Sequence, residues 1–370
     1  MTDRIEIRNL FKIFGKHPED SLRRLREGAT KETLLAETGS VLGVDNVSLN
    51  VPKGSISVIM GLSGSGKSTL ARCVNRILEP DGGQILLDGE DITCCSPDQM
   101  REIRRHRISM VFQNFGLLPN KTVIENVGFG LKLRGMSERE RQRKAEEMLE
   151  VVGLSAWGSH LPASLSGGMR QRVGLARALA TEADVLIMDE AFSALDPLIR
   201  SEMQDELLRL QTRLHKTVLF ITHDFQEALR LGTRIAIMAD GALIREGAPQ
   251  EIVEDPRSEY VAGFTRGVDR ARLFDAQSIM RTDERDGFRL DKKGRVESWR
   301  KEGGPSMDFM TVNLEDKLIE IARRARSGRP IAVIDDTGRF CGHIPQDALL
   351  AGIAGAGDAT PKSETKEPVA

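Results

Sequence analysis

The chain has 370 residues, of which 40% are hydrophobic and 29% are charged, a composition typical of a globular protein with two or three domains. Its 53 basic and 55 acidic side chains nearly balance and form no long basic block, which argues against nucleic acid as a partner. The N-terminal sequence MTDRIEIRNL is not typical of a secretion signal, and no apolar run approaches the ~20 residues needed to span a bilayer, so we expect a cytoplasmic protein.

Short runs rich in valine and isoleucine alternate with helical patterns from Ile5 to about Arg266, which predicts a parallel sheet with crossover helices. The expected fold class of residues 1–266 is therefore α/β. A hairpin turn is expected at Asp240 and Gly241, because an Asp-Gly pair favours the left-handed backbone of such turns. The clearest predicted strands are residues 55–60, 185–188, 217–221 and 235–238.

Two helical segments interrupt this pattern. Residues 18–39 predict two short helices that end at Gly28 and Gly39. Residues from about 97 to 164 are polar and helical in pattern, without alternating strands, and predict a helical subdomain. The apolar sides of the two helices in the first insert are expected to be Leu22, Leu25, Leu34 and Leu35.

Residues 267–355 predict a smaller second domain of α+β type. The last residues, 356–370, have the composition of a disordered tail. Within the second domain the clearest predicted elements are a helix over 314–326, a strand over 330–334, a turn at 335–338, a strand over 340–344 and a helix over 346–353.

The sequence GLSGSGKS at Gly61–Ser68 matches GxxxxGK[ST] at every required position and lies between a predicted strand and a helix predicted over 68–78. Glycines in such a loop let successive backbone N–H groups face phosphate oxygens. Lys67 would neutralise the β and γ oxygens, and the Ser68 hydroxyl would ligate Mg²⁺. The sequence therefore predicts an ATP site, and a glycine-rich turn without a ligand is the less favoured alternative.

The sequence VLIMDE at residues 185–190 predicts a buried strand that ends in two carboxylates. An unpaired buried carboxylate is costly, so the pair requires a cation or a catalytic task. We expect Asp189 to hold Mg²⁺ through water and Glu190 to polarise the attacking water as a general base. Taken without the phosphate loop, a solvated acidic pair at a strand end would be an equally good interpretation.

Two further polar side chains leave alternatives open. His223, in ITHD, follows a predicted strand at the sheet edge where ligands bind, although a histidine at such a position is more often structural. Gln113, in VFQNFG, could reach Mg²⁺ or the attacking water, or could cap a loop. The segment LSGGMRQR, residues 165–172, has the features of a second phosphate loop, since Ser166–Gly168 can turn N–H groups toward an anion at the start of a helix.

Together these segments resemble the nucleotide-binding subunits of ABC transporters, and the resemblance covers residues 5 to about 266. In that family two cassettes close head to tail, so the signature of one chain meets the γ-phosphate held by the other. The resemblance therefore implies a homodimer, or a heterodimer with a related subunit, enclosing two ATP molecules. Six motifs occur in the family's order: Walker A at 61–68, the Q-loop at Gln113, the signature at 165–171, Walker B at 185–190, the D-loop at 193–196 and the switch histidine at His223.

The resemblance also implies roles for individual residues. The implied catalytic residues are Glu190, His223, Gln113 and Lys67, and the implied Mg²⁺ site is Ser68, Gln113 and Asp189. Phe14 takes the place of the aromatic residue that stacks on adenine, with core packing as its alternative. The implied ATP-binding residues are Phe14, Gly61, Ser63, Gly64, Ser65, Gly66, Lys67, Ser68, Thr69, Ser166, Gly167, Gly168 and Asp196.

Several sequence segments, such as VIMGLSGSGKSTL and LSGGMRQRVGLARALA, resemble those of the ATP-binding subunits of quaternary-amine importers, which take up glycine betaine, proline betaine or choline. This resemblance implies a peripheral protein at the cytoplasmic face of the inner membrane. It also implies a membrane permease as partner, together with a separate or fused substrate-binding protein. The alternatives are a soluble ABC ATPase outside transport and an importer of another small solute.

The C-terminal domain resembles the CBS modules that some of these importers carry. Residues 307–353 fit one module, and residues 274–304 form a shortened and polar candidate for a degenerate first module. The resemblance implies a regulatory domain, and stabilisation of a dimer is the alternative role.

Overall fold

The structure is a computed structural model that describes residues 2–113, 115–282, 286–300, 305–325 and 329–354. The chain divides into two compact units, Met1–Thr265 and Arg266–Ala370. The predicted tail over 356–370 lies outside the described residues, as does the predicted end of a helix at Arg326 and part of the predicted first CBS-like module.

The first unit contains two sheets. The larger sheet has the strand order β10-β9-β3-β8-β7-β6, and the smaller has the order β2-β1-β4-β5. In chain order the strands are β1 (Asp3–Phe14), β2 (Val41–Pro52), β3 (Ile56–Met60), β4 (Gly82–Leu87), β5 (Glu90–Asp91), β6 (Ile108–Val111), β7 (Val185–Asp189), β8 (Thr217–Thr222), β9 (Arg234–Ala239) and β10 (Ala242–Gly247).

The larger sheet is parallel from β9 to β6, and β10 pairs with β9 in the antiparallel direction. Every residue of β3, β7 and β8 is buried, which is why these strands read as continuous apolar runs in the sequence. The turn between β9 and β10 is the predicted one, with φ of 49° at Asp240 and 83° at Gly241. All four strands predicted from the sequence are present, each with its bounds within one residue at either end.

Helices accompany both sheets of the first unit, and no described helix is both long and apolar enough to cross a membrane. They are α1 (Pro18–Arg26), α2 (Lys31–Thr38), α3 (Lys67–Val74), α4 (Pro97–His106), α5 (Val123–Val127), α6 (Phe129–Leu133), α7 (Glu138–Val151), α8 (Gly167–Ala180), α9 (Pro197–Leu214), α10 (Phe225–Leu231), α11 (Pro249–Glu254) and α12 (Glu259–Thr265).

The prediction of a purely helical stretch from about 97 to 164 is wrong near its start, because β6 lies within it and pairs with β7. The strand has four residues at the edge of the sheet, too few to show a period of their own beside the basic helix α4. The main sheet therefore extends to Val111, and Gln113 follows the end of a strand.

The predicted insert over 18–39 is present as α1 and α2, between the antiparallel strands β1 and β2. Gly28 has a φ of 99° and Gly39 one of 65°, so both helices end at left-handed glycines as predicted. Leu22 and Leu34 are buried, but Leu35 is exposed, so its predicted place on the apolar side is wrong. Its neighbour Leu34 is the buried residue of this helix, and eight residues leave little room for a second buried row.

The second unit contains two three-stranded sheets. One has the order β11-β12-β13, and in the other β14 pairs parallel to β15, which pairs antiparallel to β16. Buried Phe288, Trp299 and Ala332 form the centre of an apolar cluster. The elements are α13 (Arg270–Leu273), α14 (Ala276–Ile279), β11 (Phe288–Leu290), β12 (Val296–Arg300), β13 (Ser306–Met307), β14 (Met310–Asn313), α15 (Leu318–Arg324), β15 (Ile331–Ile334), β16 (Phe340–Ile344) and α16 (Gln346–Ala354).

Candidate functional site

The loop Gly61–Gly66 connects β3 to α3 at the carboxyl edge of the larger sheet. A Cβ at Gly61 would lie 2.2 Å from the Met238 carbonyl oxygen, and one at Gly66 would lie 2.4 Å from the Gly43 carbonyl oxygen. Both positions also have positive φ, so the close approach of neighbouring backbone and the turn both require glycine. Gly64 has open space around it, and Ser63 is exposed. The loop is therefore held tightly at its ends and is open at its tip.

Lys67 begins α3, and its side chain folds back under the loop. The residue is 4% exposed, and its Nζ donates to the Leu62 carbonyl oxygen at 2.7 Å and to Ser65 Oγ at 3.3 Å. Burial lowers the pKa of Lys67, and the carboxylates of Glu190 and Asp189 oppose that shift. The ammonium group is thus placed inside the loop, where phosphate oxygens would replace the loop carbonyl as its partner.

Asp189 ends β7 with a fully buried carboxylate. Its Oδ1 accepts a 2.7 Å hydrogen bond from the Ser68 hydroxyl. Its Oδ2 lies 3.5 Å from the Arg72 guanidinium but makes no hydrogen bond among the described residues. Burial raises the pKa of Asp189, and the Ser68 hydrogen bond and the Arg72 charge oppose it. A buried carboxylate oxygen with a free coordination position, next to a hydroxyl, has the donor chemistry that Mg²⁺ prefers.

Glu190 brings together the two polar side chains whose roles the sequence leaves open. Its Oε2 accepts a 3.1 Å hydrogen bond from Gln113 Nε2 and lies 3.3 Å from His223 Nδ1. The backbone of Glu190 has a φ of 48°, an uncommon conformation for a residue other than glycine, and its N–H donates to the Ile221 carbonyl oxygen. The three side chains follow the ends of β6, β7 and β8, three neighbouring strands of the sheet.

Phe14 ends β1 near the start of α3. A Cβ at Gly43 would lie 2.6 Å from the Phe14 ring and 3.4 Å from Thr69 Cγ2, so the ring lies over a glycine next to the P-loop helix. The Phe14 residue is 42% exposed, which is too open for core packing. An accessible ring beside the phosphate loop agrees with adenine stacking, which stays a prediction.

The signature segment begins a helix of its own. Ser166 is the N-cap of α8 and accepts a hydrogen bond from the Met169 N–H, while space around Gly167 is open. Asp196, in the D-loop segment 193–196, is the N-cap of α9 and accepts from the Ile199 N–H. Across residues 2–113 and 115–282, no hydrogen bond or ion pair joins Ser166–Gly168 to the P-loop. Within one chain the P-loop and the signature segment are therefore not joined by these contacts.

Two residues at the site were not identified from the sequence. The hydroxyl of Tyr260, on α12, accepts from the Leu62 N–H at 3.3 Å and donates to the Met238 carbonyl oxygen at 3.2 Å, so it braces the start of the P-loop. Arg72 is the cation nearest Asp189 Oδ2. Its position four residues after Ser68, on the same face of α3, is a signal that could have identified it. Tyr260 lies 198 positions from Leu62, and no local pattern indicates that contact.

A family model described as "ABC transporter" matches residues 44–193. The glycine betaine/proline betaine transport ATP-binding protein ProV of Escherichia coli is 52% identical, over 76% of this chain and 70% of its own length. The glycine betaine transport ATP-binding protein OpuAA of Bacillus subtilis is 43% identical, over 95% of this chain and 93% of its own length. The trimethylamine N-oxide transport ATP-binding protein TmoW of Ruegeria pomeroyi is 52% identical, over 75% of this chain and 81% of its own length.

Among solved structures, the chain is similar to the dimeric ATP-binding cassette MJ0796 in a post-hydrolysis state bound to ADP and Pi. The two are 32% identical with a TM-score of 0.58, over 66% of this chain and 98% of the cassette. A second dimeric structure of the same bacterial ABC transporter cassette matches equally well. The likeness extends over about the length of the first unit.

Proposed function

The chain belongs to the ABC transporter family, in the group of ATP-binding subunits of osmolyte uptake systems, and we propose that it hydrolyses ATP to energise import of a quaternary amine. The expected solute is glycine betaine, proline betaine or choline. ATP hydrolysis is supported by the convergence of Gln113 and His223 on Glu190, beside a complete P-loop, and the solute class is supported by the similarity to betaine transport subunits. Those three side chains come from three strands, and a purely structural acidic pair would not require them.

We propose a separate role for each group at the ATP site. The P-loop amides and Lys67 bind the phosphates of ATP, and Phe14 stacks on the adenine ring. Glu190 accepts the proton of the attacking water, while Gln113 and His223 hold that water and the γ-phosphate in line. Ser68 and Asp189, with Gln113, would hold Mg²⁺, whose charge when bound offsets the charge that develops on the phosphate oxygens.

The signature segment supports the proposal of a dimer. Ser166–Gly168 offers N–H groups at the start of a fourteen-residue helix, and no hydrogen bond among the described residues joins this segment to the P-loop of its own chain. A second copy closing head to tail would bring its P-loop phosphates to this segment. The dimeric cassettes to which this chain is similar agree with that arrangement. We propose a homodimer with two ATP molecules at its interface.

Membership of this family supports a membrane permease as partner and a peripheral position at the cytoplasmic face of the membrane. A substrate-binding protein, separate or fused to the permease, would select the solute. We further propose that the second unit is a CBS-like regulatory domain, for which the order β14-α15-β15-β16-α16 is the support. Strands β11 and β12 would then belong to the shortened first module, which was predicted over residues 274–304.

One observation favours a second candidate substrate. Trimethylamine N-oxide transport subunits are as similar to this chain as some betaine subunits are, at 52% identity. Glycine betaine, choline and trimethylamine N-oxide each carry three methyl groups on the nitrogen, so they are chemically related solutes. Because the permease and the substrate-binding protein would select the solute, the alternative of a related solute is part of the test.

The test is uptake of labelled glycine betaine, choline and trimethylamine N-oxide by cells that lack this chain and are complemented with wild type or Glu190→Gln. Wild type should restore accumulation of at least one solute, and Glu190→Gln should lower it by about 100-fold or more, since a general base contributes on the order of 10²–10⁴ in rate. The matched control is Glu150→Gln, an exposed position on α7, which should restore uptake fully. Equal uptake with wild type and Glu190→Gln would contradict the proposal.

A further inference from the structure

A buried polar cluster joins the end of β8 to the first half of α9 and the first turn of α10. Its centre is Glu227, 7% exposed, with Gln204 at 4% and Thr222 at 2%. Burial raises the pKa of Glu227, and the hydrogen bond from Thr222 opposes that shift. A carboxylate is kept inside the protein at a cost that an apolar side chain of similar size would avoid. We therefore expect the buried Glu227 carboxylate to have a role other than packing.

Every hydrogen bond of the cluster has a defined direction. Thr222 Oγ1 donates to Glu227 Oε2 at 2.6 Å, and Gln204 Nε2 donates to Glu227 Oε1 at 3.0 Å. The Gln204 Oε1 in turn accepts from the Arg230 guanidinium at 2.9 Å. Because an ionised carboxylate only accepts, Glu227 sets the orientation of both of its neighbours.

The first arm of the cluster reaches both chain neighbours of His223. Thr222 precedes the histidine, and its Oγ1 accepts from the Asp224 backbone N–H at 3.0 Å. Asp224 follows the histidine, and its Oδ1 caps α10 by accepting from the Gln226 N–H at 2.8 Å. The backbone on either side of His223 is therefore held by groups tied to Glu227.

The second arm reaches the D-loop segment 193–196. Arg200, in the first turn of α9, donates to the Leu195 carbonyl oxygen at 3.2 Å. The same guanidinium lies 3.6 Å from Asp224 Oδ2 and 3.8 Å from Glu227 Oε1. One cation thus contacts the D-loop, the residue after His223 and the central carboxylate.

We propose that Glu227 is a positioning residue that ties the segment holding His223 to the D-loop. A shift of the D-loop, such as a second chain would impose on closing, is passed through Arg200 and Glu227 to the histidine that faces Glu190. The inference rests on the proposed function, because it assigns His223 to ATP hydrolysis. Neither Glu227 nor Gln204 contacts Gln113, Glu190 or His223 in the described hydrogen bonds, so both act through Thr222, Asp224 and Arg200.

The experiment measures ATP hydrolysis by the full-length chain. Glu227→Gln should lower kcat about 10-fold with KM for ATP within about twofold, since an amide places a donor where the cluster needs an acceptor and misplaces His223. The exchanged pair, Gln204→Glu with Glu227→Gln, should return kcat to within about threefold of wild type, because donor and acceptor change places and Arg230 keeps a partner. Arg200→Gln should lower kcat about threefold, because it removes the hydrogen bond from Arg200 to the Leu195 carbonyl oxygen in the D-loop.

The matched control is Glu202→Gln, which removes a charge from an exposed position on α9 and should leave kcat unchanged. A wild-type kcat in Glu227→Gln, or a loss that the exchanged pair does not restore, would overturn the inference. If Glu227→Gln does not fold, Arg200→Gln tests the inference instead, because Arg200 is half-buried and its replacement is tolerated more easily. An unchanged kcat in Arg200→Gln would then overturn the inference. An inactive wild type would overturn the proposed function as well.

Discussion

The Ser68 hydroxyl donates a 2.7 Å hydrogen bond to Asp189, although the two residues are 121 positions apart. Ser68 is in the first turn of α3, directly after the P-loop, and Asp189 ends β7. Strands β3 and β7 both pair with β8 in the parallel direction, so their carboxyl ends meet at one edge of the sheet. The other carboxylate oxygen, Asp189 Oδ2, has no hydrogen bond among the described residues and lies 3.5 Å from the Arg72 guanidinium.

Asp189→Asn should raise the Mg²⁺ concentration that gives half-maximal ATP hydrolysis. An amide keeps the size of the side chain but loses the charge that attracts the ion, and outer-shell changes of this kind cost about 10- to 100-fold in metal affinity. The measurement is a Mg²⁺ titration of ATP hydrolysis. Asp98→Asn, at an exposed position on α4, is the control. An unchanged half-saturating Mg²⁺ concentration in Asp189→Asn would contradict the proposed site.

Tyr260→Phe should raise KM for ATP about threefold, because it removes the hydroxyl that holds the Leu62 N–H and the Met238 carbonyl oxygen. The free energy of unfolding should fall by about 1 kcal/mol, the usual value of such a hydrogen bond. The Tyr260 ring contacts Phe264 at 5.2 Å between centroids, and this contact survives in the variant.

Phe264→Leu is the comparison for that prediction, since it removes the ring contact and keeps the hydroxyl. It should lower stability without raising KM for ATP. Chemical denaturation and steady-state ATP hydrolysis measure the two effects separately. If both variants change KM alike, the hydroxyl has no specific role in bracing the P-loop.

Cys73 should resist thiol reagents in the folded chain. It is fully buried on α3, and burial raises the pKa of its thiol to about 12, so the reactive thiolate is scarce near pH 8. Cys94 is exposed and should be modified first. Peptide mapping by mass spectrometry after brief labelling, with and without denaturant, checks the order. Modification of Cys73 at the rate of Cys94 without denaturant would contradict the packing of α3.

Glu125 should stabilise the fold at neutral pH and lose that effect in acid. Its carboxylate accepts hydrogen bonds from the backbone N–H of Thr122, the N-cap residue of α5, and from Lys121. These bonds lower the pKa of Glu125 from 4.5 to about 2. A lowered folded-state pKa gives stability that is present above the unfolded pKa and disappears as the pH falls toward the folded pKa. The difference in Tm between wild type and Glu125→Gln should therefore be constant above about pH 5 and close between pH 4.5 and 2. A difference that does not change with pH would contradict the cap.

Some of the fold could be predicted because it depends on neighbouring residues. Buried strands such as β7 and β8 are continuous apolar runs, and the turn at Asp240–Gly241 follows from backbone preferences of two adjacent residues. Strand β6 could not be predicted, because four residues carry too little periodicity. The exposure of Leu35 was also missed, since an apolar residue on a short helix does not reveal which face is covered.

By itself the sequence determined the P-loop, the two carboxylates at the end of a buried strand and the start of a helix at the signature segment, since each is a property of a few consecutive residues. Only the tertiary structure decided that Gln113 and His223 converge on Glu190, that Tyr260 reaches the P-loop and that Glu227 links α9 to the histidine segment. These contacts depend on β6, β7, β8 and β3 being neighbours in the sheet. Strand order is set by long-range packing, for which the free energy is shared over the whole core and no single segment carries a signal.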